Sequence, residues 1–300
     1  KSNSYRSYTF VSGGTQPEHF YQRSQTTELK FDITSQVTNQ HEVKFGLKSK
    51  WDTMDFVFFE VLRNRSNYLT PTIPNPVDQR GSIDIYSRSP QQFSGYLQDK
   101  MEFTSMILNA GLRLDYFKAN ALYAPDPFAP TQNLVDAEGK FTFSPRLGIS
   151  FPITDEGIIH FSYGHFYQLP PFRYLYSNPE FEDIDALPVY GNANLDPEKT
   201  VTYELGLQQQ LNESLAFNVT GFYKDVRDLL ATQEIRISSN EIYQKYVNKD
   251  YGNIKGITFS LSKRKLPDDL FGASLDYTFQ VAEGNETSAD AFFIDLQSGR

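Results

Sequence analysis

The sequence predicts an all-β fold, an antiparallel transmembrane β-barrel segment of about ten strands, each of roughly the 9–11 residues that cross a bilayer. Three observations predict it. Apolar residues recur with a period of two rather than 3.6. One face of each such run excludes charge, and short and long connections alternate strictly along the chain.

The runs come in order. Leu29, Phe31, Ile33 and Val37 share one parity, and after the polar link Thr38-Asn39-Gln40 it is repeated by Val43, Phe45, Leu47 and Trp51. A weaker run at Phe93, Gly95 and Leu97 leads through Glu102-Phe103-Thr104 to Met106, Leu108, Ala110, Leu112, Leu114 and Tyr116. Phe143, Leu147, Ile149 and Phe151 follow, then Thr154-Asp155-Glu156 and the run Ile159, Phe161, Tyr163. Val201, Tyr203, Leu205 and Leu207 precede Asn212-Glu213-Ser214, and Leu215, Phe217, Val219 and Tyr223 continue beyond it. The last pair is Ile257, Phe259, Leu261 and Leu275, Tyr277, Phe279, joined through Pro267-Asp268-Asp269.

None of these apolar-face positions is Asp, Glu, Lys or Arg, whereas the opposite parity carries Lys30, Asp32, Lys44, Lys48, Arg113, Asp115, Arg146, Glu204, Lys224 and Asp276. Taken singly, such a strand also fits a soluble sheet with one packed and one watered face. The connections decide. Long irregular stretches are expected at about 53–90, 118–140, 168–199 and 225–250, and most prolines fall there, including Pro71, Pro74, Pro125, Pro127, Pro170 and Pro188, where no ladder N–H is lost. A soluble sandwich has no reason to sort loops by length onto opposite ends, whereas outer-membrane barrels have short periplasmic turns and long outer loops.

Composition agrees. Only 39% of the residues are hydrophobic and mean hydropathy is -0.49, yet aromatics reach 15%. No window offers the roughly 18 apolar residues of a membrane helix, and a barrel reads as hydrophilic because half of each strand faces a polar interior. Lys+Arg 28 against Asp+Glu 37 gives a net charge of -9 with scattered basic residues, so no nucleic-acid partner is expected. Zero cysteines remove disulfides and thiolate chemistry. His19, His41, His160 and His165 lack metal-ligand spacing, and no nucleophile elbow, phosphate loop or dinucleotide fingerprint occurs, so no catalytic residue, metal or cofactor is expected. The chain opens and stops in polar sequence without a signal segment and reads as an internal piece of something longer.

Several motifs in this order resemble the TonB-dependent receptors of the Gram-negative outer membrane, over about residues 28–280. They are Gly95-Tyr96-Leu97-Gln98-Asp99-Lys100, Gly111-Leu112-Arg113-Leu114-Asp115-Tyr116-Phe117 and Ser144-Pro145-Arg146-Leu147-Gly148-Ile149-Ser150-Phe151-Pro152. Tyr163-Gly164-His165-Phe166-Tyr167-Gln168, Asn194-Leu195-Asp196-Pro197-Glu198-Lys199-Thr200 and Tyr223-Lys224-Asp225-Val226-Arg227-Asp228 extend the set, with Gly252-Asn253-Ile254-Lys255-Gly256. The resemblance implies that residues 1–300 are part of a plugged barrel of roughly 22 strands. It further implies outer-membrane lipid around the wall and active import of a bulky nutrient: a siderophore, cobalamin, an oligosaccharide or a peptide. The plug domain of the same parent chain and the TonB–ExbB–ExbD complex, reached through a missing N-terminal part, are the implied partners.

Two groups of site residues follow. Arg113, Asp115, Arg146 and Glu204 fall on the inner face, where they either pair within the wall or face a plug. In the loop after Pro170, Phe172, Arg173, Tyr174 and Tyr176 supply stacking faces, and Glu182, Asp183 and Asp185 supply carboxylates for a cationic ligand or Ca²⁺. The same segment also reads as a solvated acidic loop whose rings mark the membrane interface or pack locally. Three other functions stay open at this point: a passive outer-membrane channel, an outer-membrane enzyme and a soluble sugar-binding β domain.

Overall fold

A computed structural model describes residues 2–10, 18–60, 83–177, 188–238, 241–267 and 270–285. Eleven long strands form one antiparallel meander: β1 (Ser2–Phe10), β2 (Glu18–Gln36), β3 (His41–Glu60), β5 (Gln91–Glu102), β6 (Ile107–Lys118), β9 (Lys140–Pro152), β10 (Gly157–Gln168), β12 (Glu198–Gln210), β13 (Leu215–Ser238), β14 (Glu241–Lys263) and β15 (Ala273–Gly284). Four short strands sit among the long loops. β4 (Ile83–Arg88) extends the edge of β3, β7 (Leu122–Tyr123) pairs β8 (Val135–Asp136), and β11 (Val189–Tyr190) runs parallel to β14. A single helical turn, α1 (Phe172–Tyr176), follows β10.

Period two survives folding as two faces. Leu29 is 68% exposed, Phe31 56% and Leu205 60%, as expected of apolar side chains that no protein covers. Their opposite-parity neighbours pair among themselves: Lys30 with Asp32 at 2.8 Å, Lys48 with Glu28 at 2.8 Å, and the Tyr96 hydroxyl donating to Asp32 at 2.8 Å. At the short-turn end the polar triplets close the hairpins. Asn212 Oδ1 accepts from the N–H of Ser214 and Leu215 at 2.9 and 3.0 Å, and Thr38 Oγ1 accepts from Gln40 and His41, each at 3.2 Å. These side-chain acceptors fix the tight returns of the chain and thereby the register of the flanking strands.

The packed core lies at the other end, among the long loops. Met54, Phe117, Tyr86, Ala119, Leu175, Tyr176 and Leu195 are buried together, with Phe56, Phe172, Tyr174 and Tyr246 against them. Met54, Phe56 and Phe117 hold the inner parity of β3 and β6, so the loops fold back over the face that carries the charges rather than over the apolar face.

Two expectations need correction, and one strand is added to the ten expected. The opening residues form β1, which pairs β2 from Ser2↔Thr27 to Phe10↔His19. The stretch 225–250 is not irregular: β13 and β14 continue as a hairpin as far as Ser238 and Glu241, past a register shift between Val226 and Leu229 where Asp228 adopts φ 59°. Likewise β3 runs on to Glu60 within the expected loop 53–90. The reason is common to all three. In these segments the strict alternation of apolar and charged residues weakens while the backbone ladder persists.

Among the described residues β1 and β15 pair on one side only, and the sheet is not closed. Leu205→Arg in the parent protein places a cation in lipid at a cost of about 2–4 kcal/mol and lowers the folded fraction in a detergent-refolding assay, whereas Asn218→Arg on the inner parity is milder. Equal folded fractions for the two variants would overturn the assignment of faces.

Candidate functional site

The site begins with a break in the wall. The β9–β10 ladder runs from Ile158↔Pro152 to Gly164↔Arg146 and stops one residue short of Pro145, which has no N–H to carry it on. Beyond that point Lys140–Ser144 stay paired to β6, through Arg113↔Ser144, Asp115↔Thr142 and Phe117↔Lys140. The end of β10 stays paired to β12 through Gln168↔Glu198. A cavity of about 520 Å³ lies at this parting of strands, lined by Lys140, Thr142, Ser144 and Arg146 of β9, Phe166–Gln168 of β10, and Pro170, Pro171 and Phe172 above.

The inner-face residues expected from sequence are brought close together here. Arg113 pairs within its own strand: its Nη2 lies 2.6 Å from Asp115 Oδ1 and its Nε donates to Asp115 Oδ2 at 2.8 Å, a forked grip that holds both groups on one wall. Arg146 lies with Cζ 4.8 Å from the centroid of the Phe166 ring. Glu204 accepts from Ser162 Oγ at 3.0 Å and, with Arg146, lines a second, smaller hollow of about 260 Å³ deeper on the wall, next to Gly111, Gly148 and Gly164.

The loop residues divide. Tyr176 is 1% exposed and its hydroxyl donates to Ala119 O at 2.7 Å, so it packs locally and fastens two long loops together. Phe172 stacks parallel to Phe117 with centroids 6.3 Å apart and borders the cavity. Tyr174 meets Tyr246 edge-on at 4.7 Å and carries the Arg173 guanidinium over its outer face. Glu182, Asp183 and Asp185 lie outside the described residues. Among the described residues no three His, Asp or Glu side chains gather as a metal site.

Other contacts that position the site were not singled out in the sequence. Asn248 Nδ2 donates to Asp196 O at 3.0 Å and Asp228 O at 2.8 Å, and its Oδ1 accepts from Asp196 N at 2.8 Å. It ties the loop before β12 to the bulge in β13. Lys245 Nζ donates to Ala124 O at 3.1 Å, and the Tyr243 hydroxyl donates to Pro127 O, which pins the 118–140 loop to β14. Burial lowers the Lys245 ammonium and pushes the Tyr243 phenol up to about 12. Lys140 and Thr142 could have been found by extending the Ser144/Arg146 parity backward. Tyr243, Lys245 and Asn248 carried no such signal, because their partners are main-chain groups far along the chain.

Comparison with known proteins places this geometry. A family model described as TonB dependent receptor-like, beta-barrel, matches residues 1–296. The fold is similar to the FrpB iron transporter from Neisseria meningitidis, with TM-score 0.61, 14% identity, and 92% of this chain covering 40% of that one. It is similar to the Serratia marcescens hemophore receptor HasR, solved with its hemophore HasA and heme, at TM-score 0.59 and 15% identity, with 89% of this chain covering 43%. A third is the ferric yersiniabactin uptake receptor FyuA from Yersinia pestis, at TM-score 0.59 and 13% identity, with 95% covering 39%. The chain thus spans about two fifths of the length of these structures.

Removing the Tyr176 ring should open the loop layer. Tyr176→Ala costs about 3–5 kcal/mol as a buried aromatic truncation and Tyr176→Phe about 1 kcal/mol for the lost hydrogen bond. Limited proteolysis of the folded parent reads this as faster cleavage in 118–140 and 168–199, and unchanged cleavage of Tyr176→Ala would contradict the packing. Burial raises the Tyr176 and Tyr243 phenols in the folded state. Phenols of the unfolded loops therefore ionise first, and protection falls as pH rises from the ordinary tyrosine value of 10.0 toward about 12.

Proposed function

The chain belongs to the TonB-dependent receptor family, as β-barrel sequence, and on that premise we propose that it forms part of the wall and mouth of an outer-membrane receptor that imports a bulky nutrient with TonB-supplied energy. One observation carries the reading. A single sheet presents an uncovered apolar face on one side, while on the other it presents charged wall residues beneath a packed loop layer with a cavity at its rim. That combination suits lipid outside and solute inside.

In this reading the exposed leucines and phenylalanines contact outer-membrane lipid. Arg113, Asp115, Arg146 and Glu204 face the solute path and the plug domain of the same parent chain. Residues 1–300 supply barrel wall and loops, and energy reaches the receptor through TonB–ExbB–ExbD acting on the plug. The loop layer captures the nutrient, with Phe172, Arg173 and Tyr174 at the rim, Tyr176 as the post that holds them, and Glu182, Asp183 and Asp185 as further candidates. The iron, heme and ferric yersiniabactin named for the three similar structures support a metal chelate as the first cargo to try, ahead of cobalamin, oligosaccharides and peptides. The wall and loops bind and orient the cargo and carry out no covalent step.

Uptake of radio-iron-labelled chelates by cells that express the parent protein tests the reading. Accumulation should stop when TonB is deleted or the proton gradient is collapsed, while surface binding persists, since capture by loops needs no energy input. Undiminished accumulation would reassign the protein as a passive channel. Tyr174→Ala, and combined neutralisation of Glu182, Asp183 and Asp185, should weaken surface binding and leave assembly intact.

A further inference from the structure

Arg146 has no counterpart across either of its ladders. On β6 it faces Gly111 and on β10 it faces Gly164, so neither neighbouring strand offers a side chain to pair with it. The other cations that line the cavity have partners: Lys48 with Glu28 at 2.8 Å, Arg113 with Asp115 at 2.6 Å and Lys140 with Asp196 at 3.0 Å. Among the described residues no carboxylate lies within ion-pair distance of Arg146, and the guanidinium rests on the Phe166 ring instead. At Gly164 a Cβ would come within 3.0 Å of that same ring, so glycine there keeps room for the support. At Gly111 a Cβ would meet only ordinary contacts, the nearest at 3.6 Å, so packing within this chain does not require glycine opposite Arg146.

A hydroxyl four residues back on the same strand face is also unmatched. Thr142 is 8% exposed, lines the cavity with Arg146, and its Oγ1 has no hydrogen-bond partner among the described residues. Ser144, between them on the same inner parity, is 2% exposed. A buried hydroxyl without a partner is costly, and an unpaired guanidinium of an inner wall gains most from an oxyanion that it can grip with two N–H groups.

We propose that Arg146 and Thr142, at the parting of β9 and β10, form an oxyanion-binding site that selects cargo bearing a carboxylate or phosphate group. The site rests on the reading above and names its substrate class: an anionic, oxygen-rich solute rather than a neutral one. The guanidinium takes the oxyanion in a forked grip, Phe166 holds the guanidinium flat, and the Thr142 hydroxyl donates to a remaining oxygen. The cavity size of about 520 Å³ admits a solute of tens of atoms.

The test uses the purified full-length parent in detergent and titration calorimetry with three probes: citrate for the carboxylate source, pyrophosphate for the phosphate source and maltotriose as the neutral control. Citrate or pyrophosphate should bind, and the tighter of the two identifies the source. Arg146→Gln should weaken that binding by about tenfold or more and Arg146→Lys by less, because lysine keeps the charge and loses the fork. Thr142→Val should weaken it about threefold to tenfold. Gly111→Asp installs a carboxylate opposite Arg146 without removing it, and should also weaken it. Maltotriose should respond to none of these. The proposal fails if neither anion binds the unaltered protein, or if Arg146→Gln and Gly111→Asp leave the affinity within about twofold. It fails too if Arg146→Gln lowers only the thermal stability of the parent, which would give Arg146 to the plug. Binding in detergent needs neither TonB nor a gradient, so a failure here is distinct from a failure of energised uptake.

Discussion

Every backbone N–H and C=O that a strand carries into hydrocarbon needs a partner within the sheet, because lipid offers none. The rest of this structure depends on that constraint. It explains why the eleven long strands form one uninterrupted antiparallel meander in chain order, with tight returns such as those at Asn212 and Thr38 fixed by side-chain acceptors. It also frees the side chains from a structural duty that a soluble core would impose. The inward positions do not have to be apolar, so they hold ion pairs, glycines and hydroxyls that a solute can meet.

Where the ladder is allowed to stop, the site appears. Pro145 ends the β9–β10 pairing at Arg146, and the diverging ends of the two strands, each still paired to its outer neighbour, become the walls of a cavity. An interruption of this kind is tolerable only near the mouth, where water and the loop layer can satisfy the freed backbone groups. The same logic places Asp228 at positive φ and the bulge in β13 above the bilayer level, with Asn248 accepting and donating to close the gap.

The buried core of this chain is therefore not in the wall but in the loops. Tyr176, Leu175 and Leu195 come from one connection and Phe117 from a strand end, and main-chain acceptors at Ala119, Ala124 and Pro127 are met by Tyr176, Lys245 and Tyr243. Packing of this kind gives rim residues such as Phe172 and Tyr174 fixed positions without helices or disulfides beneath them. A preorganised rim loses less conformational entropy when a solute binds than free loops would.

What the sequence determined by itself was everything that period two can encode. Ten of the eleven long strands, their two faces and the tight turns at 38–40, 102–104, 154–156 and 212–214 were legible, because alternation is a local property set by lipid on one side and water on the other. β1 and the arms of the β13–β14 hairpin were not, since strands that leave the membrane lose the apolar stripe while keeping the ladder. Tertiary structure alone decided that Tyr176 is a post rather than a rim ring, for its partner Ala119 lies 57 residues away and is a carbonyl with no sequence signature. It alone decided that Arg146 stands between two glycines, because register, not composition, chooses which residues share a rung of the ladder.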